Sequence, residues 1–360
     1  MRTSRVDRRV QLPNPFARTA LLLAIAAALA SSAAAQSLTG AGATFPYPIY
    51  SKWFDVYKKN TGVEINYQSI GSGAGIQQVR AGTVDFGASD APLSNDQLKT
   101  MPRRVVHIPT VAGALAIAYN LPGLKKQLRL TPEIITDIYF GKITVWNDRR
   151  LAAANPGVAL PVGPILVVHR SDGSGTTNIF TTYLSLVSSE WKELVGAGTS
   201  VSWPAGVGGK GNEGVSGVVS QTPGAIGYVE LAYAKQNKVA VAAVRNKAGQ
   251  FVLPTLASTT AAVDASAKLL AKDVRTPIAN AAAPDAYPIS GLTFLIVYQD
   301  YKDSAKARSL ASFIHWAIHD GQSMAEALDY ARLPEAVVKV DEAVLHTLTA
   351  GGKRLLAGAQ

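Results

Sequence analysis

Three loops rich in glycine and in hydroxyl-bearing residues carry the side chains best suited to chemistry. They span residues 39–46 (TGAGATFP), 71–75 (GSGAG) and 170–176 (RSDGSGT), each between an extended segment and a helix-like run. Glycine lets the backbone turn sharply and approach a ligand closely. The first turn of a helix presents unpaired N–H groups and a partial positive charge, to which hydroxyls add donors. Three such loops, one of them containing Arg170, predict an anion-binding site.

Two further segments are less specific. Asp90 stands in the segment 84–92 (VDFGASDAP), where the chain is expected to leave a strand, and an aspartate there is typical of a turn or a helix cap. Residues 206–212 (GVGGKGN) are also glycine-rich, but Lys210 is followed by Gly211 instead of the serine or threonine of a P-loop. We interpret this segment as a structural turn that could bring Lys210 near a ligand cleft.

The composition restricts the protein class. The chain has 360 residues and no cysteine, and 48% of its residues are hydrophobic against 17% charged. Such a chain is not disordered, since disorder needs low hydrophobicity and dense charge. Without cysteine there is no disulfide scaffold, thiol nucleophile or cysteine-bound metal. At this length two lobes are the expected organisation.

The first 35 residues have the pattern of a secretory signal peptide. Five arginines precede an apolar run over 19–30, and Ala33 and Ala35 provide the small residues of a cleavage site before Gln36. The alternative is an uncleaved anchor, but the apolar run is shorter than a spanning helix needs. The formal net charge of +10 would fall to +6 after cleavage, because the leader holds five arginines and one aspartate. No long basic run remains, so we do not expect nucleic acid as a partner.

Strand-like and helix-like runs alternate along the rest of the chain. This alternation predicts an α/β architecture with mostly parallel sheets. Capping patterns predict helix starts at Ser94, Thr131 and Ser323 and a helix end near Gly141. Predicted strands lie at 63–67, 105–108, 114–119, 165–168, 225–229, 239–244 and 293–297, and the last helices at 303–319 and 333–348.

Several segments closely resemble the periplasmic phosphate-binding protein family of bacterial high-affinity phosphate ABC importers. They read TGAGATFPYPIYSKW, IGSGAGIQQ, VDFGASDAPLS, RSDGSGTT, GGKGNEGV, PGAIGYVE and YAKQN, and the likeness runs from about residue 37 to near the C-terminus. The resemblance implies a two-lobe type II periplasmic binding fold with phosphate in the interdomain cleft and two extended crossovers. We place these at 109–111 and 288–290, with lobe I formed by 36–111 and 288–360 and lobe II by 112–287. The fold of 253–285 stays open, because the match is weakest there.

The resemblance also implies which residues hold the ligand. Asp172 corresponds to an acid that pairs with and orients Arg170. There are two departures: His169 stands where the family commonly has a second arginine, and Gly73 and Ala74 follow Ser72 where it commonly has serine and glycine. The implied phosphate ligands are Thr44, Phe45, Ser72, Asp90, Arg170, Ser174, Gly175 and Thr176.

Asp90 is expected to decide which anion binds. Phosphate keeps at least one proton at neutral pH and can donate it to a carboxylate, whereas sulfate has none. Sites built around one ligand hydroxyl reject analogues that lack it by about 10⁴–10⁵. The resemblance implies phosphate and a membrane permease as partners, and we expect an exported monomer in the periplasm that needs no cofactor or metal.

Two alternatives are a binder of another oxyanion, such as sulfate or molybdate, and a secreted phosphate-ester hydrolase. Asp90 argues against the first. The second needs a nucleophile with a base, but neither Ser72 nor Ser174 stands in a GxSxG elbow. His315 and His319 are four apart, but Trp316 occupies the position of a zincin's glutamate, so we interpret both histidines as surface or interface residues. We therefore do not expect an enzyme.

Overall fold

The structure is a computed structural model that describes residues 37–355. The predicted leader and its cleavage site lie outside these residues. The helices are α1 Tyr47–Thr61, α2 Ser72–Ala81, α3 Asn95–Lys99, α4 Pro132–Tyr139, α5 Arg149–Ala154, α6 Gly175–Val187, α7 Ser189–Leu194, α8 Gly211–Gln221, α9 Leu231–Gln236, α10 Leu256–Leu270, α11 Ser304–Ile318 and α12 Glu335–Leu345. Short 3-10 helices span Asp320–Met324 and Glu326–Leu328.

The strands alternate with these helices. They are β1 Ser37–Gly42, β2 Glu64–Ser69, β3 Phe86–Ser89, β4 Val105–Tyr119, β5 Arg129–Leu130, β6 Leu166–Arg170, β7 Val207–Gly209, β8 Ala225–Glu230, β9 Ala240–Val241, β10 Ala243–Arg245, β11 Phe251–Val252, β12 Ser290–Tyr298, β13 Asp300–Tyr301, β14 Thr349–Ala350 and β15 Lys353–Arg354. The weakly matching segment 253–285 contains helix α10.

The main sheet has the order β2-β1-β3-β12-β4-β8-β6-β7, with β9 also pairing with β4. The strands at both ends of this sheet pair in parallel. At one end β1 pairs with β2 and β3, and at the other β6 pairs with β7 and β8. The middle is antiparallel, because β12 runs against β3 and β4, and β4 runs against β8 and β9. The α/β class is confirmed, but the expectation of mostly parallel sheets is wrong for this central part.

Strand β4 joins what the sequence divides into two strands and a connection. It runs for 15 residues and includes the predicted crossover 109–111. Its first part pairs with β12 and its last five residues pair with β8. The register shifts at Thr293 and Phe294, which lie opposite Val111 and Pro109. A proline has no N–H to donate to a ladder, and the irregularity accommodates it within the sheet.

Most predicted helix boundaries are confirmed. Ser94 forms a capping box, Thr131 accepts a hydrogen bond from the backbone of Ile134, and Gly141 has a φ of 73° just after α4. The capping box at Ser323 is wrong, since the chain forms 3-10 turns there. The predicted strand 239–244 is divided between β9 and β10.

The core follows from these elements. Fully buried large side chains come from the helices and from both parts of the sheet, and β12 is buried along its whole length. A strand covered on both faces is expected where helices pack on each side of a sheet. The core thereby fixes the ends of the strands, from which the three glycine-rich loops start. The largest side chains that it buries fully are Trp53, Trp146, Trp191, Tyr50, Tyr139, Tyr183, Tyr228, Tyr287, Tyr330, Phe45, Phe86 and Phe180.

Candidate functional site

Four strand-to-helix turns meet at the candidate site. The turns lead from β1 to α1, from β2 to α2, from β6 to α6 and from β7 to α8. The first three are the predicted anion loops. The fourth contains the segment 206–212, which the sequence analysis treats as a structural turn. That interpretation is incomplete, because the turn also places Asn212 in the site, whereas Lys210 is exposed.

Ser72 lies at the centre of the site. Its side chain is fully buried at the first position of α2. Its Oγ accepts hydrogen bonds from the backbone N–H of Gly175 at 3.0 Å and of Asp90 at 3.3 Å. One hydroxyl therefore connects the second loop, the third loop and the Asp90 segment.

Asp90 directly follows β3 and is only 3% exposed. Its Oδ1 accepts a hydrogen bond from the Thr293 hydroxyl at 2.8 Å. Burial raises the pKa of Asp90 to about 7, against the opposing effects of the Thr293 hydrogen bond and the Arg170 charge. The carboxyl group can therefore hold or release a proton near neutral pH.

Gly175 permits a close approach between the third loop and Asp90. A Cβ atom at this position would lie 2.6 Å from the backbone N, the Cβ and the Oδ2 of Asp90. Only glycine fits at such a distance, so the first residue of α6 directly faces the carboxyl group. The site therefore places a helix N-terminus against Asp90, where its partial positive charge favours an anion.

Arg170 is buried at the end of β6 and held on two sides. Its Nε donates to Asp172 Oδ1 at 2.8 Å and its Nη1 donates to Thr176 Oγ1 at 3.2 Å. Asp172 also accepts a hydrogen bond from the Gly211 N–H at 3.0 Å. Burial alone would raise the pKa of Asp172. Hydrogen bonding and the charge of Arg170 outweigh burial and hold this pKa below its usual value. Asp172 thus stays ionised and fixes the plane of the Arg170 guanidinium group.

Thr44 and Phe45 come from the first loop. The Thr44 hydroxyl accepts hydrogen bonds from the backbone N–H and the side-chain amide of Asn212, at 3.2 and 2.8 Å. The Thr44 and Phe45 carbonyls accept from the hydroxyls of Tyr233 and Tyr330, both at 2.6 Å. These contacts fix the backbone of the loop on its carbonyl side.

The backbone donors differ in part from expectation. Ser174 uses its N–H for the Thr199 carbonyl, and its hydroxyl caps α6 by accepting from Thr177 N–H. Gly175 uses its N–H for Ser72, so neither residue offers a spare backbone donor. Within residues 37–355, no hydrogen bond occupies the backbone N–H of Thr44, Phe45 or Thr176.

The structure brings all eight predicted ligand residues into one buried cluster with Asp172. Sequence reasoning missed four residues that orient this cluster: Asn212, Thr293, Tyr233 and Tyr330. Asn212 gives the clearest example, since its amide reaches the hydroxyls of both Thr44 and Thr176. Its glycine-rich segment, followed directly by a helix, was the available signal.

His169 supplies no base to the cluster. Its ring stacks on Trp203 with the ring centroids 4.9 Å apart, and its Nδ1 lies 3.0 Å from the Arg170 carbonyl oxygen. The histidine therefore supports the backbone of the third loop. In residues 37–355, no helix is both long and apolar enough to cross a membrane.

The fold and the cluster define a class. A sheet with parallel ends joined by long antiparallel strands, and with helix N-termini gathered around a buried arginine, belongs to the two-lobe, type II periplasmic binding proteins. A family model described as a PBP superfamily domain matches residues 27–320.

The comparisons then give the family. A phosphate-binding protein PstS of Pasteurella multocida is 46% identical over 324 residues, which is 89% of this chain and 94% of the relative. A phosphate-binding protein PstS of Xylella fastidiosa is 47% identical over 307 residues, which is 85% of this chain and 84% of the relative. The chain belongs to the PstS family of phosphate-binding proteins within the PBP superfamily. The names of these relatives describe binding proteins, in agreement with the prediction that the chain is not an enzyme.

Solved structures support the fold. A high-affinity periplasmic phosphate-binding protein solved with phosphate at pH 8.5 has a TM-score of 0.70 at 23% identity, covering 88% of this chain and 97% of that one. Another similar structure is a putative phosphate ABC transporter substrate-binding protein from Clostridium perfringens, solved with bound phosphate. Its TM-score is 0.60 at 20% identity, and the match covers 83% of this chain and 100% of that one. The predicted fold class is confirmed.

Proposed function

We propose that the protein binds inorganic phosphate in the periplasm and delivers it to the membrane permease of a phosphate ABC importer. The observation that carries the proposal is the environment of Asp90, a buried carboxyl group within a cluster of hydroxyl, guanidinium and backbone donors. A fully deprotonated anion would meet the lone pairs of this carboxylate. Phosphate can instead donate its proton to Asp90 while its other oxygens accept from the donors.

The proposed ligand set is that of the sequence prediction: Thr44, Phe45, Ser72, Asp90, Arg170, Ser174, Gly175 and Thr176. Ser174 would donate its hydroxyl, and the Gly175 N–H would exchange its bond to Ser72 for one to phosphate. Arg170 would make charge-assisted hydrogen bonds to phosphate oxygens, with Asp172 fixing its orientation. Hydrogen bonds to charged groups contribute about 1.5–3 kcal/mol each. A micromolar Kd corresponds to about −8 kcal/mol. Several such contacts can therefore offset the dehydration of the anion.

We assign lobe I to 36–111 and 288–360, and lobe II to 112–287. The change of pairing within β4, from β12 to β8, supports a boundary near residue 112. In this division, the hydrogen bonds of Gly73 N–H to the Gly173 carbonyl and of Asn212 to Thr44 join the two lobes. The arrangement corresponds to a closed cleft, and opening would break these bonds.

The leader accounts for the proposed location. We place cleavage between Ala35 and Gln36, after which the remaining chain enters the periplasm. We expect a monomer. N-terminal sequencing of the protein from a periplasmic extract, combined with light scattering, tests both points.

Isothermal titration calorimetry of the mature protein tests the ligand. One phosphate per chain is expected to bind with a micromolar or lower Kd, and sulfate or molybdate at least about 10³-fold more weakly. Tighter binding of sulfate or molybdate would contradict the proposal. Turnover of a chromogenic phosphate ester that Arg170→Ala abolishes would favour a hydrolase instead.

Delivery needs its own experiment. Bacteria that lack their own phosphate-binding protein but retain the cognate permease should regain phosphate uptake when they export this chain. Asp90→Ala should not restore uptake. If the wild-type protein binds phosphate in calorimetry but never supports uptake, the transport part of the proposal is wrong.

A further inference from the structure

Two imidazoles and one carboxylate converge at the surface between the last two helices. His315 lies in the last turn of α11, and His319 is the residue directly after that helix. Their ring centroids are 4.5 Å apart. Glu342, from α12, places its Oε1 3.0 Å from His319 Nε2. One possible ligand atom of each residue lies within 4.8 Å of the other two.

The contact between His319 and Glu342 does not have the geometry of a hydrogen bond. The two atoms are close, yet His319 Nε2 is buried and has no hydrogen-bond partner among residues 37–355. The ring nitrogen is therefore close to the carboxylate oxygen without being hydrogen-bonded to it. Two ligands of one ion take such an arrangement, because both point at the metal instead of at each other.

The distances fit a small ion after modest side-chain movement. A tetrahedral ion with ligand bonds of about 2.0–2.2 Å holds its ligand atoms about 3.3–3.6 Å apart. The His319 and Glu342 side chains are 34% and 39% exposed, and His315 is exposed. These side chains can rotate without repacking the core, and water can complete the coordination.

We propose that His315, His319 and Glu342 form a binding site for a divalent transition-metal ion of the zinc type. Imidazole nitrogen suits zinc, nickel and copper, whereas magnesium and calcium prefer sites made of oxygen. Two histidines four residues apart are a recurrent zinc-binding pattern, and the two rings lie close together here although His319 stands just beyond the helix. The third ligand comes from another helix, so the sequence pattern alone does not reveal it.

The site is separate from the proposed phosphate site. None of its three residues takes part in the hydrogen-bond cluster around Ser72 and Arg170. An ion held by all three would cross-link α11 to α12, and it would stabilise the folded chain whether or not phosphate is bound.

The test is a calorimetric titration of the mature protein with Zn²⁺ in phosphate-free buffer near pH 7.5. One high-affinity zinc ion per chain is expected. Loss of a residue that only supports a metal ligand weakens binding about 10–100-fold, so His315→Ala and Glu342→Gln should each weaken it at least tenfold. Glu335→Gln at the start of α12 and His346→Ala directly after its end are the matched controls and should leave zinc affinity unchanged. Mg²⁺ and Ca²⁺ should not bind there.

A spectroscopic titration gives an independent readout. Cobalt(II) bound by nitrogen and oxygen ligands should give a visible absorption band that is lost in His315→Ala. Phosphate affinity and the circular dichroism spectrum should be unchanged in all four variants, which separates this proposal from the proposed phosphate function. Unchanged zinc affinity in His315→Ala and Glu342→Gln, or an equal loss in His346→Ala, would overturn the assignment.

Discussion

Asp90 is a carboxyl group in a site otherwise built to attract anions. Burial lifts its pKa to about 7, while Thr293 donates a hydrogen bond to one of its oxygens. The other carboxylate oxygen faces the start of α6 at Gly175. The Asp90 carboxyl can contribute to anion binding only if a proton, on the carboxyl or on the ligand, forms a hydrogen bond between the two. In the proposed site, the ionised form of Asp90 therefore favours a ligand that carries a proton.

The first prediction concerns selectivity. Asp90→Asn removes the negative charge and replaces one carboxylate oxygen by an amide N–H donor, so sulfate should gain affinity relative to phosphate. The phosphate-to-sulfate ratio of binding constants should fall by at least about 100-fold, since full discrimination by one hydroxyl is worth about 10⁴–10⁵. Calorimetry with both anions measures the ratio. The control is Asp96→Asn, because the Asp96 carboxylate is exposed on α3. This variant should not change the phosphate-to-sulfate ratio. An unchanged ratio in Asp90→Asn would show that this carboxyl does not select the ligand.

The second prediction concerns Asn212, which orients two hydroxyls at once. Asn212→Ala leaves the Thr44 and Thr176 hydroxyls without their shared amide donor. Phosphate affinity should fall about tenfold, and stability by about 1–3 kcal/mol, because buried polar groups lose a partner. Calorimetry and thermal unfolding measure the two effects. Asn237→Ala, which removes amide bonds to Ser216 and Tyr233, should leave phosphate affinity unchanged.

At the scale of elements, the sequence indicates the site through its loops. Each predicted anion loop leads into a helix N-terminus, because the loop glycines and hydroxyls are local features of the chain. Thr293 and Tyr330 reach the site only through the register of β12 and the path of the C-terminal segment. Such contacts depend on tertiary structure, and no local pattern predicts them.

The failed capping box at Ser323 has a similar cause. Gln322 is buried, its amide donates to the Thr110 and Ala317 carbonyls, and its Oε1 accepts from Leu333 N–H. The bonds to Thr110 and Leu333, which lie outside the segment, hold it in 3-10 turns against the local preference for an α-helix. Local patterns therefore predict most helix starts, and distant hydrogen bonds decide the exception.

The third prediction tests the close approach at the start of α6. Gly175→Ala would place a Cβ 2.6 Å from Asp90, so the helix must move away from the carboxyl. Phosphate binding should weaken at least about 100-fold, because the helix N-terminus no longer meets the anion. Gly217→Ala in α8 is the control, since its Cβ would meet nothing within 4 Å. That control should keep its affinity and gain up to about 1 kcal/mol of stability from helix propensity. Normal binding in Gly175→Ala would mean that this approach is not required.

The fourth prediction concerns Glu230, which caps α9. The side chain is fully buried, and its Oε2 accepts from the Ala232 N–H and the Tyr330 hydroxyl. Burial raises the pKa of Glu230 well above its usual value. The folded state therefore binds the proton more tightly than the unfolded state, and stability falls as the pH rises above the ordinary glutamate pKa.

Glu230→Gln should remove this dependence. The substituted amide would keep an acceptor for the helix cap without the cost of ionisation. The variant should therefore equal the wild type near pH 4 and exceed it in stability at pH 8. Thermal unfolding without phosphate across this range gives the comparison. Parallel curves for the two proteins would show that Glu230 does not couple folding to protonation.

At the scale of the whole molecule, the net positive charge is divided between the predicted leader and the rest of the chain. The predicted leader holds five arginines, and the rest of the chain retains a modest positive balance without a long basic run. This balance can attract an anion from a distance. The selective contacts that we propose come from one buried arginine, one carboxyl group and neutral donors, so composition indicates the class of ligand only weakly.

The last prediction concerns closure of the proposed lobes. Two contacts join them at the edges, away from the anion cluster. Arg275 Nη1 donates to Asn95 Oδ1 at 2.8 Å, and Lys235 Nζ lies 2.5 Å from Asp329 Oδ1. Partly exposed contacts of this kind are each worth about 0–1 kcal/mol. The double variant Asn95→Ala/Lys235→Ala should therefore weaken phosphate binding by up to about tenfold, because both contacts stabilise only the closed form.

The change should appear mainly as faster dissociation of phosphate, since opening precedes release. Stopped-flow displacement measures this rate, and small-angle scattering without phosphate should show a larger radius of gyration for the double variant. Lys99→Ala removes an exposed ion pair to Asp96 within lobe I and is the matched control. If the double variant releases phosphate at the wild-type rate, the edge contacts do not hold the cleft closed, and closure depends on the bonds around Ser72, Thr44 and Asn212 alone.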